Sequence, residues 1–534
     1  MGKTKYIFVT GGVTSSLGKG IISASIGKLL QSRGYSVTNQ KFDPYMNVDP
    51  GTLNPYEHGE CYITTDGHVT DLDLGHYERF TSIETTRNNS LTSGRIYQNV
   101  INKERRGEYM GKTVQIIPHI TDEIKRNILL LGQKMKYDFV ITEIGGVAGD
   151  IESLPFLESV RQLKWELGGD CINVHLTYVP YLAAAKELKT KPTQHSVKKL
   201  QELGIQPDVL VLRTEHDINE DMRKKVSLFC NVSPEAVIQC KDAPCIYEVP
   251  LRMQKQGLDA VILKKLGIAP EATTSDLTKW NNFLDKKQNA TEEVKIALVG
   301  KYVELQDAYK SISESLLQAA VYNNRVLKLI SIQSENLTKE NIAENLQGMD
   351  GVLVAPGSGP RGVEGKIVAL EYCRNNNIPT LGIVLGMQCM AIEFARNVLG
   401  LLDANSTEMD SKTKNNVIDL IESQTVVSSE DGYIRSGAYD CELLADSKAA
   451  AIYGKTQISE RHRNRYEFNN SYKEAFEKAG MRITGVNPET GLAEILEIPS
   501  LKWYIGVQFH PQYRSSIEKP HPLFVNFVKA AIDK

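Results

Sequence analysis

The sequence of 534 residues lacks several features that would assign it to a specialised class of protein. No apolar run approaches the ~20 residues that cross a bilayer, so we do not expect a membrane protein. The net charge of −3 argues against nucleic acid or a membrane surface as the main partner. The eight cysteines include no CxxC pair, which disfavours disulfide and zinc frameworks and indicates reduced thiols of a cytoplasmic protein. We expect no signal peptide, because the chain enters a strand at once with "YIFVTGG".

What the sequence contains is a regular alternation of short β-branched runs with helical stretches, in two series. The first series is "YIFVTGG", "FVITEIGG", "INVHLTYVP" and "DVLVLRT", and the second is "VKIALVGKY", "VLKLISI", "GVLVAPGSG" and "TLGIVLG". Each run ends in Gly, Pro or a polar turn, which is typical of parallel α/β sheets with functional loops at the strand ends. Residues 269–293 are polar and lack such runs, so they are interpreted as a linker with a short helix. We therefore predict two α/β domains, 1–268 and 294–534.

A glycine-rich loop, "VTGGVTSSLGKG" (residues 9–20), follows the first strand and leads into a helix. Glycines let backbone N–H groups surround a phosphate, and the helix N-terminus adds positive potential. Lys19 is placed to reach the β- and γ-phosphates. The loop departs from the usual phosphate-binding pattern, because Gly12 comes one residue early and Gly20 replaces the metal-binding hydroxyl. A strand, loop, lysine and helix in this order favour a nucleotide site over a plain strand–turn–helix.

Carboxylates elsewhere must then supply the oxygen ligands that magnesium requires. "TDLDLGHYERF" offers Asp71 and Asp73, which alternatively form only an exposed turn. Glu143 ends an apolar strand and needs a partner, for which either a cation or a lysine would serve.

A second candidate ligand site is the basic segment Lys186–Leu200, "KELKTKPTQHSVKKL". Its loop "KTKPTQ" is stiffened by Pro192 and rich in donors, which suits an anionic ligand, although a solvated basic helix would look similar. The residues alone predict an ATP-dependent α/β enzyme with an anionic substrate.

The stretch "TLGIVLGMQCMAI" (residues 380–392) is organised like a nucleophile elbow, in which a strand, a tight turn and a helix expose one side chain. Val384 stands at the apex, and a valine is not a nucleophile. Either the stretch is not an elbow, or it is one whose chemistry has been removed.

Longer strings resemble the CTP synthase family along nearly the whole chain. They include "YIFVTGGVTSSLGKGI", "KFDPYMNVDPGTLNPYEHGE", "EIGGVAGDIESLPF", "KTKPTQHSVK", "RGVEGKI", "RHRNRYEFNN" and "QFHPQ". The resemblance implies an amidoligase domain of the P-loop-like, dethiobiotin-synthetase-like type. It also implies a class I glutamine amidotransferase domain with a flavodoxin-like sheet. The family phosphorylates UTP at O4 with MgATP, and ammonia then displaces the phosphate to give CTP in pyrimidine biosynthesis. The family forms homotetramers and filaments, and GTP is a possible effector.

The resemblance also implies roles for residues of the first domain. Magnesium would be bound by Asp73 and Glu143, and Lys41 would stabilise charge on the transferring phosphoryl group. ATP would be held by Ser15, Ser16, Leu17, Gly18, Lys19 and Gly20. UTP or CTP would be held by Ser15, Asp150, Ile151, Glu152, Lys189, Thr190, Lys191, Pro192, Thr193, Gln194 and Lys225. Val147 departs from the family by removing a hydroxyl near the pyrimidine site, so we expect base recognition or feedback inhibition to be altered.

In the second domain, the family's Cys, His and Glu triad reads Val384, His510 and Gln512. Loss of the nucleophile predicts an inactive glutaminase. The family's glutamine pocket maps to Ser358, Gln388, Glu408 and Arg465, with Ser358 replacing an aromatic residue. Cys389 lies over a turn beyond the apex and is interpreted as a buried structural thiol.

Three hypotheses follow. The leading one is a CTP synthase-like ligase that aminates UTP with free ammonia. The second is amination with another amine, such as an amino acid held in the retained pocket, to an N4-substituted cytidine nucleotide. The third is a non-catalytic partner of an active CTP synthase, against which the retained Lys19, Lys41, Asp73 and Glu143 argue.

Overall fold

The computed structural model describes residues 3–53, 58–424 and 433–533. It divides into two compact units, one of residues 1–52 and 73–278 and the other of residues 53–72 and 279–534. The boundary between 278 and 279 falls inside the predicted linker. The assignment of residues 53–72 differs from the predicted boundaries, which place this segment in the first domain.

The strands up to residue 241 include the four runs of the first predicted series. They are β1 (Lys5–Gly11), β2 (Val37–Asp43), β3 (Tyr62–Ile63), β4 (Val69–Thr70), β5 (Ser90–Thr92), β6 (Phe139–Ile144), β7 (Cys171–Tyr178), β8 (Tyr181–Leu182), β9 (Glu187–Leu188), β10 (Val209–Thr214) and β11 (Val237–Lys241). The first unit is built on a seven-stranded sheet in the order β11-β10-β7-β1-β6-β2-β5. All of its strand pairs are parallel. Its central strands are almost wholly buried, as expected for a parallel sheet covered on both faces.

Helices of the first unit follow these strands. They are α1 (Lys19–Ser32), α2 (Asp73–Thr81), α3 (Ser93–Arg105), α4 (Thr121–Met135), α5 (Leu154–Leu167), α6 (Lys191–Glu202), α7 (Glu220–Cys230), α8 (Val249–Lys255) and α9 (Leu258–Lys265). Ile124 and Ile128 of α4 and Val160 of α5 are fully buried against Val140 of β6 in one core cluster. Parallel connections of this kind bring the carboxyl ends of the strands to one edge of the sheet.

The strands after residue 292 are β12 (Glu293–Gly300), β13 (Val326–Gln333), β14 (Gly351–Val354), β15 (Thr380–Ile383), β16 (Asn405–Ser406), β17 (Asn416–Leu420), β18 (Arg435–Leu443), β19 (Gln457–Asn464), β20 (Tyr466–Phe468), β21 (Arg482–Val486), β22 (Ala493–Glu497) and β23 (Tyr504–Val507). Nine of them form a sheet in the order β13-β12-β14-β15-β23-β22-β21-β18-β19, and the other three form a small sheet in the order β16-β17-β20. In the nine-stranded sheet, the pairs from β13 to β23 are parallel and the remaining pairs are antiparallel.

The helices from residue 278 onward follow the strands of the second unit. They are α10 (Thr278–Asn289), α11 (Lys310–Tyr322), α12 (Ile342–Asn345), α13 (Val363–Asn375), α14 (Leu385–Asn397), α15 (Ile421–Gln424), α16 (Lys448–Tyr453), α17 (Lys473–Ala479) and α18 (Pro522–Ile532). Helices α13 and α14 pack on one face, and α11 and α18 pack on the other. The predicted short helix of the linker is α10.

The hairpin of β3 and β4 is held in the second unit by long-range contacts. Tyr62 packs edge-on against Tyr513, with ring centroids 4.8 Å apart. The buried guanidinium of Arg461 donates to the Tyr62 hydroxyl at 3.1 Å and to the Ile63 carbonyl at 3.0 Å. Ser436 donates to the Gly67 carbonyl at 2.7 Å. These partners lie hundreds of residues away in sequence, which is why a reading of contiguous segments assigns the hairpin to the first domain.

The structure confirms the predicted class, a two-domain α/β protein with parallel sheets. Within the described ranges, no helix has the length and apolar character needed to cross a membrane. All eight cysteines lie in described parts of the chain and are free thiols.

Candidate functional site

The first candidate site is a buried cluster of charges around Lys41 in the first unit. Lys41 on β2 and Glu143 on β6 are register partners of adjacent parallel strands, so their side chains share a face. The Lys41 ammonium lies 3.1 Å from Glu143 Oε1 and 3.7 Å from Asp43 Oδ1, and it also pairs with Asp73 Oδ2. Tyr77 donates from its hydroxyl to Glu143 Oε2. The partner that Glu143 requires in this structure is therefore a lysine, one of the two predicted alternatives.

Gly20 explains how the carboxylate of Asp73 reaches the glycine loop. A Cβ atom at position 20 would lie 1.9 Å from Asp73 Oδ1, so any side chain there would displace the carboxylate. Gly20 lacks the usual metal-binding hydroxyl, and it thereby leaves the space that the Asp73 carboxylate occupies. Asp71, the other carboxylate of this segment, belongs to the second unit.

Burial and the lysine charges act on the two carboxylates in opposite directions. Burial raises the pKa of Glu143, and the charge of Lys41 opposes this only in part. Burial also acts to raise the pKa of Asp73, but the charges of Lys41 and His76 outweigh it and lower that pKa. Glu143 therefore binds a proton more readily than Asp73, and both carboxylates share the ammonium of Lys41.

The glycine loop meets helix α1 at Gly18, the residue directly before the helix. Its φ of 94° lies in the left-handed region, which glycine adopts without strain. Lys19 is the first residue of the helix, and its ammonium donates to the Gly146 carbonyl. Burial lowers the pKa of Lys19, while Glu143 acts in the opposite sense. Arg213 of β10 donates to the Leu17 carbonyl at 3.3 Å, a loop contact that the sequence analysis did not predict. The feature of the sequence that could have indicated this contact is the arginine near the end of the "DVLVLRT" strand.

The remaining predicted ligand residues of the first unit lie on loops and helix ends. Lys189 and Thr190 precede α6, and Lys191, Pro192, Thr193 and Gln194 form its first turn. Asp150 precedes a short helical turn over Ile151–Ser153 and accepts from the Val147 N–H at 3.3 Å. Lys225 is an exposed residue of α7. Ser15 and Ser16 are exposed in the glycine loop.

The donor set around Lys41 fits a hard divalent cation. The carboxylates of Asp73 and Glu143 share one ammonium, and a third carboxylate, that of Asp43, lies beside it. Oxygen ligands of this kind are those that magnesium prefers. Among the described residues, no group of three or more His, Cys, Asp and Glu side chains is arranged as a metal site. The two predicted magnesium ligands, Asp73 and Glu143, thus lie close together and pair with the same ammonium of Lys41.

The second candidate site lies at the carboxyl edge of the parallel part of the second sheet. Lys301 directly follows β12, Ser358 follows β14, Val384 follows β15 and His510 follows β23. Because these strands are parallel neighbours, their ends share one edge.

Val384 has the strained backbone of an elbow. Its φ and ψ are 49° and −103°, a conformation that β-branched residues rarely adopt. The Val384 N–H donates to the Val507 carbonyl at 2.8 Å, and its carbonyl accepts from Gln388 at 2.9 Å. These bonds fix the turn between β15 and α14. The stretch has the geometry of an elbow, with an apolar side chain at the apex.

His510 contacts Gln512 where the predicted triad would place a carboxylate. Gln512 Nε2 lies 2.8 Å from His510 Nδ1, and Gln512 Oε1 has no hydrogen-bond partner among the described residues. In this arrangement the amide donates to Nδ1, so the imidazole proton resides on Nε2. Burial, followed by the charges of His462 and Arg463, lowers the pKa of His510 to about 3. The imidazole is therefore neutral, with its proton on the nitrogen that a catalytic base needs to keep free.

The predicted amino-acid pocket is engaged in internal contacts. Glu408 Oε1 accepts from the Gly359 N–H at 2.7 Å, and Gln388 donates to the Tyr466 carbonyl at 2.9 Å. Arg465 lies 3.8 Å from Glu422. Ser358 is exposed, and its carbonyl accepts from the buried ammonium of Lys301. Lys301 was not predicted, although a lysine ending the "VKIALVGKY" strand was a visible signal.

Cys389 is the thiol nearest in sequence to the apex of the elbow. It is fully buried in α14, and burial raises its pKa to about 11. A thiol with so high a pKa is almost wholly protonated near neutral pH.

Comparisons with known proteins find similarity along the whole chain. Residues 5–268 match the family model of the CTP synthase N-terminus, and residues 304–530 match that of the class-I glutamine amidotransferases. A CTP synthase of Bacteroides fragilis is 67% identical over 534 residues, covering 100% of both chains. A CTP synthase of Porphyromonas gingivalis is 65% identical over 532 residues, covering 100% of this chain and 98% of the relative. One from Cytophaga hutchinsonii is 62% identical over 534 residues, covering 100% and 99%.

Proposed function

The chain belongs to the CTP synthase family, and from this premise we propose that it forms CTP from UTP and ATP with free ammonia as the nitrogen donor. Amination would proceed through UTP phosphorylated at O4. The single observation that carries the choice of ammonia is Val384, an apolar side chain on a retained elbow. We further propose that the second unit has no glutaminase activity.

Support for the synthetase reaction comes from the cluster around Lys41. The γ-phosphoryl group of ATP would pass to O4 of UTP, converting a poor leaving group into phosphate. Ammonia would then form the C4–N bond as phosphate leaves. Lys41 is held beside Asp73 and Glu143, where its ammonium would stabilise charge on the transferring group. Lys19, at the start of α1, would contact the ATP phosphates together with the loop N–H groups.

Asp73 and Glu143 would hold a magnesium ion, which when bound neutralises charge on phosphate oxygens. Lys189, Thr190, Lys191, Pro192, Thr193, Gln194 and Lys225 would bind the UTP phosphates, and Asp150, Ile151 and Glu152 would contact the pyrimidine nucleotide. The homotetramer, the filaments and the response to GTP stay predictions.

Support for the loss of glutaminase activity comes from two independent positions. A valine cannot attack the glutamine amide, and an imidazole protonated on Nε2 cannot take a proton from a nucleophile at the apex. Glu408 and Gln388 of the predicted pocket are hydrogen-bonded to backbone groups of the unit.

The nitrogen-donor assay tests this function. The purified full chain is incubated with UTP, ATP and magnesium, with either ammonium or glutamine, and the nucleotide product is identified by mass spectrometry. We expect CTP with ammonium and only background with glutamine. Equal CTP formation from glutamine would contradict the loss of glutaminase activity, and an absence of CTP with both donors would contradict the synthetase function.

Adding a panel of amino acids to the same assay separates the alternatives. A product heavier than CTP by the mass of an amine substituent would favour the N4-substituted nucleotide instead. The Lys41→Met variant gives the background rate for each donor.

A further inference from the structure

A buried histidine connects the two nucleotide-binding elements of the first unit. His175 on β7 is the register partner of Thr10 on β1, and its side chain is fully buried. Its Nδ1 lies 2.8 Å from the Thr10 hydroxyl, and its Nε2 lies 2.8 Å from the Ser196 hydroxyl. Thr10 directly precedes the glycine loop, and Ser196 lies in the second turn of α6. One imidazole therefore joins the base of the loop to the helix that begins with the "KTKPTQ" segment.

The loop and the helix are also in direct contact beside this imidazole. A Cβ atom at Gly12 would lie 1.7 Å from Ser196 Oγ and 3.2 Å from His175 Nε2. Only a glycine lets the loop approach the Ser196 hydroxyl so closely. The position of the loop relative to α6 is thus sensitive to the length of the Thr10–His175–Ser196 connection.

The hydrogen bonds of this connection form a consistent chain. Asn173 Nδ2 is placed to donate to the Thr10 hydroxyl at 3.1 Å. The Thr10 hydroxyl also lies 3.3 Å from Asn173 Oδ1, and in either tautomer of His175 one ring nitrogen donates to one hydroxyl while the other accepts from the second. Burial, followed by the charge of Lys19, lowers the pKa of His175 to about 3. A neutral imidazole with one donor and one acceptor nitrogen satisfies both hydroxyls.

We propose that His175 is a positioning residue that sets the spacing between the glycine loop and α6. The inference rests on the proposed function, which assigns ATP to the loop and the UTP phosphates to the start of α6. His175 touches neither reacting atom and acts through Thr10 and Ser196. Its role is to hold the two nucleotides at the separation that phosphoryl transfer requires.

Spacing matters because the γ-phosphoryl group has two possible acceptors. In the productive reaction it passes to O4 of UTP, and ADP leaves. When UTP is misplaced, water takes the phosphoryl group instead, giving ADP and phosphate without CTP. A displacement of about 1 Å reduces the rate of such a transfer about 100-fold. Loss of the connection should therefore separate ATP consumption from CTP formation.

The experiment measures ADP and CTP formed by the full chain at saturating ammonium, UTP and ATP. Ser196→Ala removes one hydroxyl of the connection and keeps the Cβ atom that faces Gly12, and His175→Phe removes both hydrogen bonds. The matched control is Ser159→Ala on α5, a fully buried serine that donates to the Pro155 carbonyl at 2.7 Å. The wild type and the control are expected to form one ADP for each CTP.

We expect Ser196→Ala and His175→Phe to raise the ratio of ADP to CTP about 10-fold or more, because CTP formation falls further than ATP consumption. A ratio that stays at one in Ser196→Ala would overturn the proposal, whether or not the rate falls, since a purely structural role lowers both products together. Should His175→Phe fail to fold, Ser196→Ala decides alone. A wild type that forms no CTP would instead mark failure of the proposed function.

Discussion

The carboxyl ends of the parallel strands in each unit carry a loop, and the two loops differ in the chemical groups that they hold. In the first unit, the loop before α1 stands beside Lys41, Asp73 and Glu143, which are close enough to act on one ligand. In the second unit, the turn before α14 keeps its strained backbone at Val384, with no reactive atom at the apex. The geometry of a site is therefore separable from its chemistry. Backbone hydrogen bonds maintain the geometry, and individual side chains supply the chemistry.

The retained strain at the elbow has a physical reason. A non-glycine residue in such a conformation costs of order 1–3 kcal/mol and persists only when its surroundings hold it. Val384 is held by its bond to Val507 on β23 and by the first turn of α14, both of which belong to the core of the unit. The elbow therefore keeps its geometry with a valine at the apex, because the packing of the unit depends on the same turn.

The largest expected effect is recovery of glutaminase activity by restoring two residues together. Val384→Cys supplies the nucleophile, but His510 remains protonated on Nε2 while Gln512 donates to Nδ1. Val384→Cys with Gln512→Glu reverses that tautomer and stabilises the imidazolium. Because an amide in place of the triad carboxylate lowers kcat ~10⁴-fold in a well-studied triad, we expect a difference of about 10³–10⁴-fold between the double and single variants. Glutamate release from glutamine is the measurement.

Val384→Ala with Gln512→Glu serves as the control, because it has the carboxylate without a nucleophile. Equal glutamate release by the single and double cysteine variants would show that Gln512 does not hold the imidazole in the wrong tautomer. Alkylation of the introduced thiol as a function of pH gives a second readout, since only the double variant should show a lowered thiol pKa.

The next largest effect is expected at the first site. Lys41→Met removes the ammonium shared by the carboxylates and should reduce CTP formation with ammonium at least ~10²–10³-fold. It also leaves buried carboxylates without their shared cation, at a cost of about 3–5 kcal/mol in the free energy of unfolding. Steady-state rates and urea unfolding measure the two effects separately.

Lys164→Met is the matched control, because Lys164 of α5 forms a half-buried ion pair with Asp208, the residue directly before β10 of the same unit. It should leave the rate near that of the wild type. CTP formation by Lys41→Met at the wild-type rate would show that the charge cluster has only a structural role.

The stabilities of the two units can be compared through their dependence on pH, because each unit contains a buried histidine, His175 in the first and His510 in the second. In each, the folded pKa is about 3, below the ordinary value of 6.5. Below pH 6.5 the unfolded chain binds a proton that the folded chain does not, so stability falls as pH falls from 6.5 to about 3. The slope is about 1.4 kcal/mol per pH unit for each group. Urea unfolding between pH 6.5 and 4 measures it.

His510→Asn should flatten this dependence in the unfolding of the second unit, and His175→Asn should flatten it in that of the first. An unchanged slope in either variant would mean that its histidine is protonated in the folded protein.

The smallest effect is expected for Cys389→Ala. This thiol is buried and almost wholly protonated, so its removal should leave CTP formation unchanged and lower the free energy of unfolding by roughly 1 kcal/mol through lost packing. Rates with both nitrogen donors provide the check. Any loss of glutamine-dependent activity in this variant would assign Cys389 a role as nucleophile.

Much of the fold follows from the sequence because its elements are local. Strand β1, the glycine loop and α1 are encoded by contiguous residues, as are β15, the turn at Val384 and α14. The hairpin of β3 and β4 is not predictable in the same way, since Tyr62 finds its partners at Arg461 and Tyr513. The same reason applies to Lys41, whose pairing with Asp73 and Glu143 depends on strand order.

The sequence by itself determined which chemical groups this protein possesses. It has no nucleophile at the elbow and no carboxylate at position 512, and no arrangement in space can supply a missing functional group. Only the tertiary structure decided which of the groups that are present act together. The pairing of Lys41 with Glu143, the space that Gly20 leaves for Asp73, and the link from Thr10 through His175 to Ser196 each join residues far apart in the chain. Hydrogen bonds and ion pairs depend on distances of a few ångströms, which are set by sheet register and packing.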